Sequence, residues 1–325
     1  MYGIELNFQS NSKFYIEELI NDFAYFRPKP TKKRYHDFSI TIHLVDASNH
    51  FPVNYSLRLN RESEIGSGHR KFRILNYGKW HLIEHNYAET IYLLAPTLNT
   101  CHIFTTQEDT EIYHAITDIV MNFLSMCLLK RNIFCVHAAA LSKDGKGFLF
   151  PGRSGSGKTT ISISLVQSGY KFLSDDYPLI KDDNSHFEIL AFPQRLKVRN
   201  DTLKQFPELV AYKKRKNITM ARPFIDISEV FLDCVSEKVE AIYLVFPHLI
   251  NSQKTSCMKT SKSEALRKLL PCIYDPFSNI ESSVTFRKTI FEFAYNLVNK
   301  TKCFNLFLGK NASKLQNSLE TIKIS

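Results

Sequence analysis

The sequence predicts an α/β chain in two parts: a strand-rich α+β domain over residues 1–106, then an α/β domain over residues 107–325. Three observations lead there. Short β-branched and aromatic runs crowd the first hundred residues, a helix-period segment follows, and from Ile133 onward apolar runs alternate with helical patterns. The last texture is that of buried strands alternating with helices in an α/β core. At 325 residues, 44% hydrophobic and 23% charged, the chain has the material for two modest cores.

In order, Phe38–Leu44 (FSITIHL), Tyr55–Leu59, Lys71–Leu75 and Thr90–Leu94 are expected strands. Ile112, Ile116, Ile119, Val120, Phe123 and Leu124 recur at three- and four-residue spacing and give a helix from Glu108 to Lys130. Its acids (Glu108, Asp109, Glu111) stand first and Lys130 and Arg131 last, the sense that the helix dipole favours. Ile133–Leu141 (IFCVHAAAL) reads as one continuous strand buried on both faces, KDGK at 143–146 as a turn, and Gly147–Pro151 as the next strand. A helix follows to Gln167, stopped by Gly169. Lys171–Ser174, Phe187–Phe192, Ala241–Phe246 and Cys303–Leu308 are further strands, and Ser261–Leu270, Val284–Val298 and Ser313–Ile322 further helices. No internal repeat is present.

Composition excludes several classes. Seven cysteines, an odd number with no CxxC pair, argue against a disulfide framework or a structural zinc site. The start, MYGIELNFQS, has no basic segment leading into an apolar one, so no secretory signal is expected. The most apolar stretch, Ile116–Leu129, is broken by Asp118, Asn122 and Ser125, so no membrane span is expected and cytoplasm is the expected compartment. The formal charge is +10, and much of it lies between Arg195 and Arg222, where nine basic residues face two acids. Such a block attracts nucleotide phosphates, an acidic peptide or nucleic acid, or else is a solvated face without a partner. Only Phe206 and Tyr212 interleave it with aromatics, so nucleic acid is not the expected partner.

The chemistry centres on Gly152-Arg153-Ser154-Gly155-Ser156-Gly157-Lys158-Thr159-Thr160, which fits G-x-x-x-x-G-K-[ST] between an apolar strand and a helix carrying Ile161, Ile163, Leu165 and Val166. Glycines let successive backbone N–H groups turn inward around an anion, and the helix that follows aims its positive end at the same place. The pattern predicts ATP as ligand, with Lys158 reaching the terminal phosphates and Thr159 holding Mg2+. Asp175 and Asp176 end the next expected strand, 17 residues after Lys158. At the carboxyl edge of such a sheet one carboxylate holds the metal and the other takes the proton of an attacking hydroxyl.

Residues 135–176, CVHAAALSKDGKGFLFPGRSGSGKTTISISLVQSGYKFLSDD, resemble the HPr kinase/phosphorylase group of P-loop proteins, whose fold relatives include the phosphoenolpyruvate carboxykinases. The resemblance implies a P-loop kinase core of HPr kinase type. It places His137 near the terminal phosphate with Asp175 and Asp176, gives phosphate and metal to Lys158 and Thr159, and makes Arg195 or Lys197, in Phe192-Pro-Gln-Arg195-Leu-Lys197, proximal to phosphate. It also implies an assembly of copies. The loop continues Lys-Thr-Thr, and the glycine-rich signature of the bifunctional members is absent, so the expected acceptor is a hydroxyl other than HPr: a serine of a peptide or protein, or a small hydroxy compound. A nucleotide-binding regulator without transfer activity is the alternative. Asn299-Lys300-Thr301-Lys302 lacks the aspartate that a guanine reader needs, which disfavours a GTPase.

Overall fold

The computed structural model describes residues 1–26, 37–46, 62–65, 72–85, 90–95, 97, 99–216, 218, 223–273, 284–309 and 315–323. The expected strand Tyr55–Leu59 and Arg222 of the basic block lie outside them. The chain divides into two units, Met1–Arg131 with Asp275–Phe286 and Asn132–Tyr274 with Arg287–Ser325. The helix that follows residue 106 groups with the first unit.

The first unit contains β1 (Leu6–Ser10), α1 (Lys13–Asp22), β2 (Phe38–Leu44), β3 (Glu62–Ile65), β4 (Phe72–Tyr77), β5 (Trp80–His85), β6 (Thr90–Ala95), β7 (Thr100–Thr105) and α2 (Thr110–Leu129). Among the described residues its strands form one sheet in the order β1-β2-β7-β6-β5-β4-β3; β2 runs parallel to β1 and β7, and the other pairs are antiparallel. Ser12 caps α1 by accepting from the Tyr15 amide at 3.3 Å, which satisfies one of the helix's orphan donors. The α2 stripe from Ile112 to Leu124 is buried, as its periodicity requires.

The second unit contains β8 (Ile133–Cys135), β9 (Ala138–Lys143), β10 (Lys146–Pro151), α3 (Lys158–Gln167), β11 (Lys171–Ser174), β12 (Leu179–Asp182), β13 (Phe187–Leu190), β14 (Leu196–Lys197), α4 (Asn200–Gln205), α5 (Pro207–Arg215), β15 (Phe224–Ile225), β16 (Lys238–Leu249), β17 (Ser256–Lys259), α6 (Lys262–Leu269), all but the first turn of α7 (Val284–Lys300), β18 (Lys302–Leu308) and α8 (Leu315–Lys323). The main sheet runs β11-β9-β10-β16-β13-β12-β8, with β18 beside β16 and β17 beside β18. Asp144 and Gly145, both at positive φ, make the tight turn between β9 and β10. Because β9 is antiparallel to both β10 and β11, those two strands share a direction, and β16 and β18 continue it. Four strands therefore end at one edge, the usual place for a ligand in an α/β sheet.

One face of this sheet is covered by α3, with Ile161, Ile163, Leu165 and Val166 packed in a core that also holds Phe148, Phe150, Tyr243, Val245 and residues of α4, α5 and α8. Phe148 is fully buried, stacked 4.6 Å from Tyr243 and edge-on to Tyr170. Strand alternation sends Phe246 to the opposite face, where Lys268 of α6 lies over its ring. On α7, Phe293 stacks on Phe134 at 3.8 Å between ring centres.

The structure corrects one expectation. Ile133–Leu141 is two strands, β8 and β9, and His137 stands in the break between them. Val136 bridges to Ile273, the His137 amide donates to Cys272 O, and His137 O accepts from the Gly152 amide. An apolar run shows burial but not a change of strand partner, so the break leaves no trace in hydropathy. Among the described residues no helix is long and apolar enough to cross a membrane.

Candidate functional site

Between β10 and α3 the chain runs through Gly152–Gly157, with Gly155 at φ +86° and Gly157 at φ +94°. Both are in the left-handed region that glycine enters without penalty. A Cβ on Gly152 would collide with Ser156 Oγ and lie 3.0 Å from Ser156 Cβ, so the loop closes on itself only because position 152 has no side chain. Ser156 Oγ is itself buried, with no hydrogen-bond partner among the described residues. Arg153, Ser154 and Gly155 are exposed. The first N–H groups of α3 have no intrahelical acceptor and open toward the same place.

Lys158, the first residue of α3, is 5% exposed. Its ammonium donates to Gly152 O at 2.9 Å and to Arg153 O at 3.4 Å, and lies 3.0 Å from His137 Nε2 and 3.7 Å from Asp176 Oδ1. His137 Nε2 is also 3.4 Å from Asp176 Oδ1. With Nε2 unprotonated, Lys158 donates to the ring; with it protonated, the ring donates to Asp176 and Lys158 is left to the carbonyls. Cys272 is buried behind this group; burial pushes its thiol up while the Lys158 and Arg153 cations pull the other way.

Asp175 and Asp176 follow β11 at the same sheet edge, in unlike surroundings. Asp175 is buried and accepts two 2.6 Å hydrogen bonds, from Thr159 Oγ1 to Oδ2 and from Ser162 Oγ to Oδ1. Burial, and then the neighbouring Asp176 charge, push its carboxyl up to about 6, against the pull of Ser162, Thr159 and Lys158. Asp176 keeps 51% of its side-chain surface open. Burial pushes its carboxyl up too, but the His137 ring and the Lys158 ammonium outweigh that and hold it below the ordinary carboxylate range. Two adjacent acids are thus driven apart, the pattern of an acid–base site.

His137, Lys158, Thr159, Asp175 and Asp176 therefore meet around one loop. Thr160 Oγ1 lies 3.2 Å from Thr202 Oγ1 of α4, joining the loop's helix to the basic segment. Arg195 lies with its guanidinium 5.0 Å from the ring centre of Phe224, and Lys197 is in β14, paired with Phe224. Two residues that the motif does not point to also belong here. Ser162, fully buried, fixes the Asp175 carboxylate; its signal in the sequence is a hydroxyl on the face of α3 three residues after Thr159. Arg199 reaches the loop from the basic segment: its Nη1 is 3.9 Å from where a Cβ on Gly155 would stand. Among the described residues no three or more His, Cys, Asp or Glu side chains are placed to hold one metal ion together, so a metal here would be held by few protein oxygens.

A family model described as "ScmC: SynChlorMet cassette protein ScmC" matches residues 99–321. No curated protein matches the chain. Among solved structures, the chain is similar to the Hpr(Ser) kinase/phosphatase from Coxiella burnetii, at 17% identity and a TM-score of 0.31, over 58% of this chain and 96% of that one.

Proposed function

The chain belongs to the ScmC family of SynChlorMet cassette proteins, and for it we propose an ATP- and magnesium-dependent phosphotransferase that passes the terminal phosphoryl group to an acceptor hydroxyl, a serine of a peptide or protein. The observation that carries this reading is the meeting, at one sheet edge, of a glycine loop, its lysine and two adjacent carboxylates whose affinities for a proton are driven in opposite directions. The residues fit the ligand. Among the described residues Ser156 Oγ is a buried donor without a partner, and the space a Cβ on Gly152 would take is occupied by the loop's own return. Thr159 Oγ1 and Asp175 Oδ2 are hard oxygen ligands 2.6 Å apart, and magnesium takes one or two such groups and keeps water elsewhere.

When bound, the nucleotide supplies the phosphoryl group and magnesium neutralises charge on its phosphates. The chain's residues do the remainder. The amides at the start of α3 and the Lys158 ammonium hold the phosphates. Ser162 holds Asp175 in place for the metal. Asp176, ionised at neutral pH and open on one side, would accept the proton of the acceptor hydroxyl as that oxygen bonds the terminal phosphorus and the phosphorus–oxygen bond to the departing ADP breaks, and His137 orients it through Nε2. Arg195, Lys197 and the cations from Lys213 to Lys216 suit an acidic acceptor. Titration calorimetry of Mg–ATP into the wild-type protein and Lys158→Ala tests the reading. Loss of binding in the variant supports it, and equal affinity in both removes it.

A further inference from the structure

Resting on the nucleotide reading above, we infer that Arg199 is a phosphate-binding residue of the glycine loop, contacting the phosphate chain from the side of Gly155. The sequence motif does not include it, and nothing about its position 44 residues after Gly155 singles it out. The geometry does. Its Nη1 lies 3.9 Å from the Cβ position of Gly155, a loop residue that is exposed and held at φ +86°. A guanidinium at that distance stands over backbone that a bound anion would also approach.

The side chain is delivered by a well-fixed piece of backbone. On one side of Arg199, Leu196 and Val198 are buried, β14 pairs with β15, and the Val198 amide donates to Pro223 O. On the other, Arg199 O accepts from the amide of buried Leu203, and Thr202 bonds Thr160 in the first turn of α3. The segment is thereby tied to the helix that follows the loop. Among the described residues the Arg199 guanidinium has no hydrogen-bond or ion-pair partner, whereas Arg215 nearby in sequence donates to Glu229 O and Lys216 pairs with the Glu229 carboxylate. An anchored arginine with its donors unspent, beside a loop shaped for an anion, is built for bidentate contact with phosphate oxygens.

Calorimetry with Mg–ATP, Mg–ADP and adenosine on the full chain decides it, using wild type, Arg199→Ala, Arg199→Lys, Lys204→Ala and Lys158→Ala. Losing a charge-assisted contact of this kind lowers affinity by about 10- to 100-fold. That loss is expected for Arg199→Ala with Mg–ATP, with adenosine binding unaltered and only partial recovery in Arg199→Lys, because an ammonium lacks the planar fork. Lys204→Ala, an exposed cation on α4, should change affinity less than about threefold, as expected of a screened surface charge. Wild-type affinity in Arg199→Ala beside lost binding in Lys158→Ala would overturn the assignment and leave the nucleotide reading standing. Equal losses in Arg199→Ala and Lys204→Ala would reduce Arg199 to one charge in a diffuse field and overturn it too. If wild type bound no nucleotide at all, both readings would fall together.

Discussion

Replacing Asp175 by asparagine should make the ligand-free protein more stable. The Asp175 carboxyl has its proton affinity raised from 3.8 to about 6, chiefly by burial. A proton bound more tightly in the folded state stabilises the fold fully below the unfolded value, and that contribution is lost as pH rises through about 6. At pH 7.5 the buried carboxylate therefore costs the native state about 3 kcal/mol, from a shift of about two units at roughly 1.4 kcal/mol each. Asparagine removes the charge and keeps the shape. One of its two terminal atoms is a donor, however, so the hydrogen bond from either Thr159 or Ser162 is lost, at about 1 kcal/mol. The net expectation is a gain of about 2 kcal/mol in urea unfolding at pH 7.5 without magnesium, falling below about 1 kcal/mol at pH 5, where wild-type Asp175 is largely protonated. A variant no more stable than wild type at pH 7.5, or one whose advantage grows on acidification, would refute the reasoning. The same substitution should weaken magnesium-dependent nucleotide binding, because a stabilising change at a functional site commonly costs function.

Three further outcomes follow from named contacts. Asp176→Asn should bind Mg–ATP within about threefold of wild type yet transfer label from γ-labelled ATP to serine peptides at least about 100-fold more slowly, the scale of a lost general base; an unaltered rate would strike Asp176 from the proton-accepting role. Gly152→Ala should cost about 1–3 kcal/mol in urea unfolding through overpacking against Ser156, with much of it restored in the Gly152→Ala/Ser156→Gly double variant; equal instability of the single and double variants would place the strain elsewhere. Phe148→Ala, which empties a fully buried aromatic site between Tyr170 and Tyr243, should cost about 3–5 kcal/mol. A loss below about 1 kcal/mol would mean that this face of the sheet is not the packed core described.

The parts of the site that were legible in the sequence are those that local chemistry dictates. Gly155 and Gly157 announce positive φ, Lys158 and Thr159 sit at fixed offsets from them, and two carboxylates close a strand one helix later. Long strands and helices with a clean period, such as β2, α2 and α6, are legible for the same reason: each is specified by its own residues. What stayed hidden depends on distant partners. The segment from Asn200 to Arg215 presents itself as a run of positive charge, although Leu203, Phe206, Leu209 and Tyr212 recur every third residue and form the buried stripe of α4 and α5. Their apolar spacing is short and interrupted by Pro207, so the charge dominates the reading. Arg199 shares that concealment, since its place over Gly155 is set by the β14–β15 pair and the Thr160–Thr202 contact rather than by any pattern around it. β12 and β17, four residues each, are too short to show a period.

The break at His137 closes a circuit. From β16 the ladder passes through β13 and β12 to β8; two residues of covalent chain then lead into β9, which pairs with β10, and β10 returns to β16. The imidazole thus stands where a ring of strands is stitched shut, with main-chain bonds to Cys272 and Gly152 on either side. The Gly152 amide, bonded to His137 O at the end of the buried β10, should trade its proton for deuterium only when the whole unit opens, at the rate of deep amides such as Leu149. The solvent-facing crest at Ser154 and Gly155, two residues further on, should exchange orders of magnitude sooner. Rapid exchange at Gly152 would mean the stitch is loose.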